Sequence, residues 1–384
     1  MNINQDQFNQ TIRNAHEKFN KENQVPTILL CGKSGAGKSS LINVLVGSLV
    51  QKVDVIPTTQ EPTVVEFKEK GLALRVIDIA GFGEADMHEE RVNVIFKQMK
   101  IAHVLLLVVG FPDRALEYEI NLLSKLKDCY WNSEEILPLV LVANKIDLAP
   151  PVRQCLNENL DLINPSSEKE LAINNWIHYV EKVFLDYGDI KAIPCSCGEN
   201  FNETDAQYGI NTIKKKLYNV LPEAAKTYFA RLSNDAEIIE MRAQKIIILA
   251  SLTSAAAGAQ PIPGVPDAII ITPIQISMII GLAKLYNTEM SSFKALKLIG
   301  PVLATVSGRL AFEQLIKLIP GVGSILGAAV AGAITLSLGE AYNYLMKNQI
   351  WTPTKEEIVE AFMSSWNKNK NLNLTDLKNM NKNT

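Results

Sequence analysis

Between residues 27 and about 220, short apolar runs rich in β-branched residues alternate with longer amphipathic stretches. The runs "TILLCG", "LALRVIDIAG", "HVLLLVVG", "LPLVLVAN" and "IKAIPCS" each fit a strand. They are apolar almost throughout, so both faces of each strand must be covered. The pattern predicts an α/β domain built on a mostly parallel sheet with helices on both faces. Ahead of it, residues 1–25 are polar, and Phe8, Ile12 and Phe19 are spaced as on one face of an amphipathic leading helix.

After Arg242 the pattern changes. Segments 246–266, 268–283, 298–308 and 318–339 carry almost no charge, and two of them contain an I-P-G-V element, starting at Ile262 and Ile319. Self-similarity of this kind predicts a duplicated helical hairpin in an all-α domain. The expected layout is a leading helix (1–25), an α/β domain (26–222), an apolar helical domain (223–350), and a terminal helix with a frayed Asn- and Lys-rich tail (351–384). A membrane-spanning helix needs about 20 apolar residues. Segment 318–339 reaches that length, but Pro320 and two glycines occupy its start, and 246–266 contains Gln260 and three prolines. Small residues such as Ala328, Ala329, Gly332 and Ala333 suit close helix packing in lipid or in a core. Membrane spans, a peripheral helical domain and a soluble bundle therefore all stay open.

Composition narrows the function. Lys plus Arg total 38 against 41 for Asp plus Glu, a formal net charge of -3, so no global positive field attracts nucleic acid. The three-lysine run "IKKKLY" at 213–218 reads as a solvent face. The five cysteines show no zinc spacing, and residues 1–25 lack the basic-then-apolar layout of a secretory signal, which points to a reducing cytoplasm. The four histidines are scattered without ligand spacing.

"GKSGAGKS", residues 32–39, follows a predicted strand and opens a predicted helix, as a phosphate-binding loop must. Gly32, Gly35 and Gly37 let the backbone N–H groups of Ser34, Gly35, Ala36, Gly37, Lys38, Ser39 and Ser40 turn toward phosphate oxygens. Lys38 is assigned to the β- and γ-phosphates and Ser39 to magnesium. "DIAG" ends one strand, placing Asp78 near the metal and the Gly81 N–H near a γ-phosphate. "NKID", with Asn144, Lys145 and Asp147, ends another. The Asp147 carboxylate can accept from both N1–H and the 2-amino group of guanine, a donor pair that adenine lacks.

These three motifs resemble the translation-factor-related P-loop GTPases over residues 25–220, and "GKSGAGKSSLINVLVG" with "PTTQEPT" resembles the Era-like and immunity-related branches. The resemblance implies GTP hydrolysis with Mg2+ and a switch threonine closing over the metal. Thr58 and Thr59 are both candidates, with Thr63 a third; Thr59 is the one assigned to catalysis and metal. It also implies that Ser196 and Cys197 of "CSCG" contact guanine. Two departures matter. Phe82 stands where Ras-like relatives use a water-orienting glutamine, and Gly35 stands where potassium-activated relatives carry asparagine. Glu84, Asp86 and His88 are candidates to position water, and Arg114 is a candidate to act across a dimer.

"SAAAGAQPIPGVPD" resembles a domain of uncharacterised function found behind Era-like GTPase domains, which implies membrane association. The expectation is a GTPase whose nucleotide state controls a helical domain at the inner face of a membrane, as a dimer or larger assembly. The rivals are a ribosome- or RNA-linked GTPase and a soluble scaffold that keeps its GTP.

Overall fold

Strand β1 (Thr27–Cys31) sits inside a six-stranded sheet of order β2-β3-β1-β4-β5-β6, made with β2 (Thr63–Glu69), β3 (Leu72–Asp78), β4 (Val104–Gly110), β5 (Leu139–Asn144) and β6 (Ile193–Pro194). The computed structural model describes residues 25–46, 63–69, 72–78, 97, 99–126, 137–152, 156, 160–188, 190–198, 207–259, 267–288, 295 and 325–383. β2 runs antiparallel to β3, and the other pairings are parallel. The register sets Leu30 beside Asp78, Cys31 beside Leu107 and Gly110 beside Asn144. The carboxyl ends of β1, β3, β4 and β5 therefore share one edge, where ligands of such sheets bind.

Side chains alternate across a strand, and here both sets are buried. Leu29, Leu105, Leu107 and Leu141 pack against Leu122 and Leu123 of α2 (Glu117–Leu126) and against Ile173, Trp176 and Val180 of α3 (Glu168–Val183). Ile28, Leu30, Leu106 and Val140, of opposite parity, are no more than 2% exposed. On that side α5 (Glu223–Ser233) packs on β3 and α4 (Ile210–Val220) on β5, and α1 (Lys38–Val46) touches both helices. A short ribbon pairs β7 (Ser196–Cys197) with β8 (Gln207–Tyr208).

The expected strands omit β2. Its sequence, "TVVEFKE", alternates apolar and charged residues, which suits an edge strand, and continuous apolar runs do not reveal it. The chain divides between residues 238 and 239, later than the expected boundary at 222, because α5 packs on the sheet.

The second unit contains α6 (Ala236–Gly258, which begins just before the divide), α7 (Asp267–Leu285), α8 (Ile325–Lys347), α9 (Lys355–Asn369) and α10 (Leu374–Asn383). α8 packs along α9, α7 and α10. A Cβ at Gly332 would lie 2.7 Å from Leu377 Cδ1, and one at Gly339 would lie 2.7 Å from Ile247 Cγ2 and 2.9 Å from the Met278 sulfur. These glycines set the helix spacing. Polar links cross the interior: Gln275 Nε2 donates to Thr335 Oγ1 at 3.2 Å, and the Tyr286 hydroxyl donates to Asn343 Oδ1 at 2.7 Å. The tail expected to fray is instead helical and docked, with Leu377 fully buried and Lys245 Nζ donating to the Asn381 carbonyl. Among the described residues no helix is long and apolar enough to cross a membrane. The leading helix, both I-P-G-V elements and segment 298–308 lie outside the described residues.

Gly339→Val forces a branched side chain against Ile247 and Met278, and overpacking of this kind costs about 1–3 kcal/mol. Urea unfolding should show that loss; unchanged stability would mean that the helices are not held this closely.

Candidate functional site

The loop after β1 is shaped by its glycines. Gly32 has φ +136° and a Cβ there would lie 2.2 Å from the Val108 carbonyl oxygen, so only glycine passes this close to β4. Gly37 has φ +89° and a Cβ there would meet Asn144 Nδ2 at 2.3 Å. α1 begins at Lys38, so its first N–H groups, which have no partner within the helix, open toward the loop. The Lys38 ammonium is buried and donates to the carbonyls of Gly32 (2.7 Å) and Lys33 (2.9 Å), which centres a positive charge in the loop. Ser34, Gly35, Ser39 and Ser40 are exposed, Gly37 is half-buried and Ala36 is buried.

Asn144, 1% exposed, donates from Nδ2 to the Ala36 carbonyl at 2.9 Å and accepts from the Cys197 thiol on Oδ1 at 3.7 Å. Lys145 follows in the left-handed region at φ 62°, and a 3-10 turn, Ile146–Leu148, presents Asp147. The Ser196 hydroxyl donates to Asp147 Oδ1 at 2.8 Å. Cys195 is fully buried, and its hydrogen bond with Cys197, reinforced by burial, pushes its thiol well up. The structure thus brings Gly32, Lys38, Asn144, Lys145, Asp147, Ser196 and Cys197 to one edge of the sheet. A cavity of about 420 Å³ beside the loop is lined in part by Ser34, Gly35, Asp113, Arg114 and Lys145.

Asp78 ends β3 at the same edge, and Thr63 opens β2 directly across from it. Thr58, Thr59, Gly81, Phe82, Glu84, Asp86 and His88 lie outside the described residues. Mg2+ takes few protein ligands, all oxygen, and keeps several waters or phosphate oxygens. The exposed Ser39 hydroxyl and the carboxylate-bearing Asp78 at that edge supply the right donor chemistry.

Sequence reasoning missed how the loop is braced. The Lys33 N–H donates to Glu119 Oε1 at 3.1 Å, and its Nζ donates to Asp113 Oδ2 at 3.1 Å and to the Ala115 carbonyl. Glu119 is 1% exposed, and burial raises its pKa above the ordinary carboxylate value. α3 holds the same segment: Trp176 Nε1 donates to the Asp113 carbonyl at 2.9 Å, and the Tyr179 hydroxyl donates to the Arg114 carbonyl at 2.8 Å. No local motif announces these residues, which lie more than 60 positions from their partners along the chain. The Arg114 guanidinium lies over the Tyr179 ring, 5.6 Å from its centroid. In the lysine run, Lys214 Nζ donates to the Ser233 carbonyl and Lys215 pairs with Glu237, so these two cations have partners within the protein.

Residues 27–145 match the 50S ribosome-binding GTPase family. Over those residues the first unit resembles a P-loop GTPase domain. Residues 231–370 match a domain of unknown function, DUF697. The tRNA modification GTPase MnmE of Bacillus subtilis is 28% identical over 174 residues, 42% of this chain and 36% of that protein. The GTPase HflX of Caldanaerobacter subterraneus subsp. tengcongensis is 25% identical over 218 residues, 56% of this chain and 46% of that protein. The chain thus spans less than half the length of the curated relatives it matches. Among solved structures, Arabidopsis thaliana Toc33 in complex with GDP and Mg2+ aligns at 20% identity over 54% of this chain and 91% of its own, with a TM-score of 0.37. A point variant of Aquifex aeolicus Era bound to GDP and aluminium fluoride aligns at 18% identity over 52% of this chain and 58% of its own, with a TM-score of 0.34.

Next to the base motif, Glu170 accepts from the backbone N–H groups of Ser167 (2.8 Å), Asp161 (3.0 Å) and Ser166 (2.9 Å), which push its pKa down to about 2. A depressed carboxylate pKa stabilises the fold fully above the ordinary value of 4.5, and that stabilisation is lost as pH falls toward about 2. Glu170→Gln should therefore weaken the protein at pH 7, and its gap from wild type should shrink through that window in chemical unfolding. A gap independent of pH would remove the carboxylate from this role.

Proposed function

We propose that this chain binds GTP and GDP and hydrolyses GTP to GDP and phosphate, with the nucleotide state governing a helical unit that contacts a membrane surface or a second copy of the chain. The observation that carries the reading is the hydrogen bond between Asn144 and the Ala36 carbonyl, which joins a base-reading motif to a phosphate-binding loop. The roles follow from chemistry. N–H groups of residues 34–40 and the Lys38 ammonium would bind the phosphates, while Asp147, oriented by Ser196, would accept the guanine donors, with Lys145 and Cys197 beside them. Magnesium would be held by Ser39, Asp78 and Thr59 or its neighbour Thr58, and it would neutralise charge on the β- and γ-phosphates. The Gly81 N–H would stabilise the γ-phosphate as water attacks it. Phe82 has no group that orients that water, so the reading assigns activation to another side chain or to self-association.

The apolar composition of residues 246–339 supports the membrane or self-association part. Cys31, Cys195 and Cys197 are buried thiols that form no disulfide, which accords with a cytoplasmic location, at the inner face of a membrane. An RNA- or ribosome-linked GTPase is the second reading, favoured by the names of the relatives and the matched family; the net charge of -3 weighs against it.

Lys38→Ala removes a charged phosphate contact and should weaken GTP binding by about 10- to 100-fold in calorimetry. Asp147→Asn should move preference from guanine toward xanthine nucleotides; retained guanine preference would place base recognition elsewhere. Single-turnover hydrolysis should accelerate with protein concentration or with anionic vesicles. A rate per molecule that is flat in both titrations would sink the coupling to membrane or self-association and leave the nucleotide assignment standing.

A further inference from the structure

Lys169 lies in the first turn of α3, two residues after the N-cap Ser167, and is 1% exposed. Both facts are unfavourable in isolation. A cation near a helix N-terminus opposes the helix dipole, and an ammonium out of water needs compensating acceptors. Lys169 Nζ donates to the carbonyls of Asp147 (2.8 Å), Ala149 (3.0 Å) and Pro151 (3.4 Å). Those carbonyls belong to the turn that carries the base-reading carboxylate and to the residues just after it.

That turn is weak by itself. It is a single 3-10 turn, closed by Leu148 N–H to the Lys145 carbonyl and Ala149 N–H to the Ile146 carbonyl, both at 3.1 Å, and it starts from a left-handed lysine. Short 3-10 pieces have poor hydrogen-bond geometry, and their last carbonyls find no partner within the turn. Asp147 is consequently gripped twice, at its carboxylate by Ser196 and at its carbonyl by Lys169. Ser196 fixes the direction of the side chain. Lys169 fixes the position of the backbone from which that side chain springs.

We infer that Lys169 is a positioning residue for guanine selectivity, acting through the backbone of residues 147–151 and touching no nucleotide itself; this rests on the guanine reading above. Loss of the ammonium frees three carbonyls and lets Asp147 drift from the paired N1–H and 2-amino donors. The phosphate loop has separate supports in Asn144 and Lys33, so binding of the diphosphate is untouched.

The test compares GDP with IDP, which lacks only the 2-amino group, so phosphate and ribose contributions cancel in the ratio of their dissociation constants. Lys169→Met should bring the IDP-to-GDP ratio down by about five-fold or more toward unity, and Lys169→Arg, which keeps buried donors, should hold it within about two-fold of wild type. If Lys169→Met does not fold, Lys169→Gln takes its place under the same criterion. A lower melting temperature with an unchanged ratio would make Lys169 merely structural and overturn the proposal. A wild-type ratio of one, with diphosphate binding still abolished by Lys38→Ala, would instead overturn the guanine reading, and the proposal with it.

Discussion

One buried amide, that of Asn144, ties together the loops on which the first unit's chemistry depends. Its nitrogen donates to the Ala36 carbonyl of the phosphate loop, and its oxygen accepts from the thiol of Cys197. An asparagine suits this position because it carries donor and acceptor at opposite tips of one short planar group. Shielded from water, each of these bonds also carries the cost of leaving its partner unsatisfied if broken. The parallel register makes the arrangement possible, since it delivers Cys31, Asp78, Gly110 and Asn144 to one edge of the sheet.

The second support is α3, which reaches both sides of that edge. Near its start, Lys169 and Glu170 organise residues 147–151 and 161–167; a few turns later, Trp176 and Tyr179 hold the carbonyls of Asp113 and Arg114. Asp113 in turn holds the Lys33 side chain. Base motif and phosphate loop are thus anchored on one helix, whose inner face is fixed in the core by Ile173, Trp176 and Val180.

Much of this was legible from local pattern. Continuous apolar strands, the glycine spacing of residues 32–39 and the tetrapeptide 144–147 are each readable within a few residues, so the parallel sheet, the glycine-shaped loop and the position of Asn144 at the strand end follow directly. The strand Thr63–Glu69 escaped because, among the described residues, it pairs on one flank only and its sequence mixes charge with valine. The helical tail escaped because its burial rests on one leucine, Leu377, received beside Gly332 far away in the chain. Lys169, Glu119 and Asp113 were invisible for a related reason. A lysine in a helix or an aspartate in a loop looks like solvated charge until the fold supplies its partner.

The close seams at Gly332 and Gly339 also limit how the second unit can move. Turning α8 about its axis by one residue, roughly 100°, would carry these glycines out of their contacts and bring Leu338 or Glu340 toward Ile247 and the methyl of Ala331 or Ala333 toward Ser251. Sliding along the axis meets the same obstacle. The seam works like a ratchet tooth: small rotations and slips are blocked, so any large rearrangement of this unit must first lift α8 clear of its neighbours, an all-or-none step.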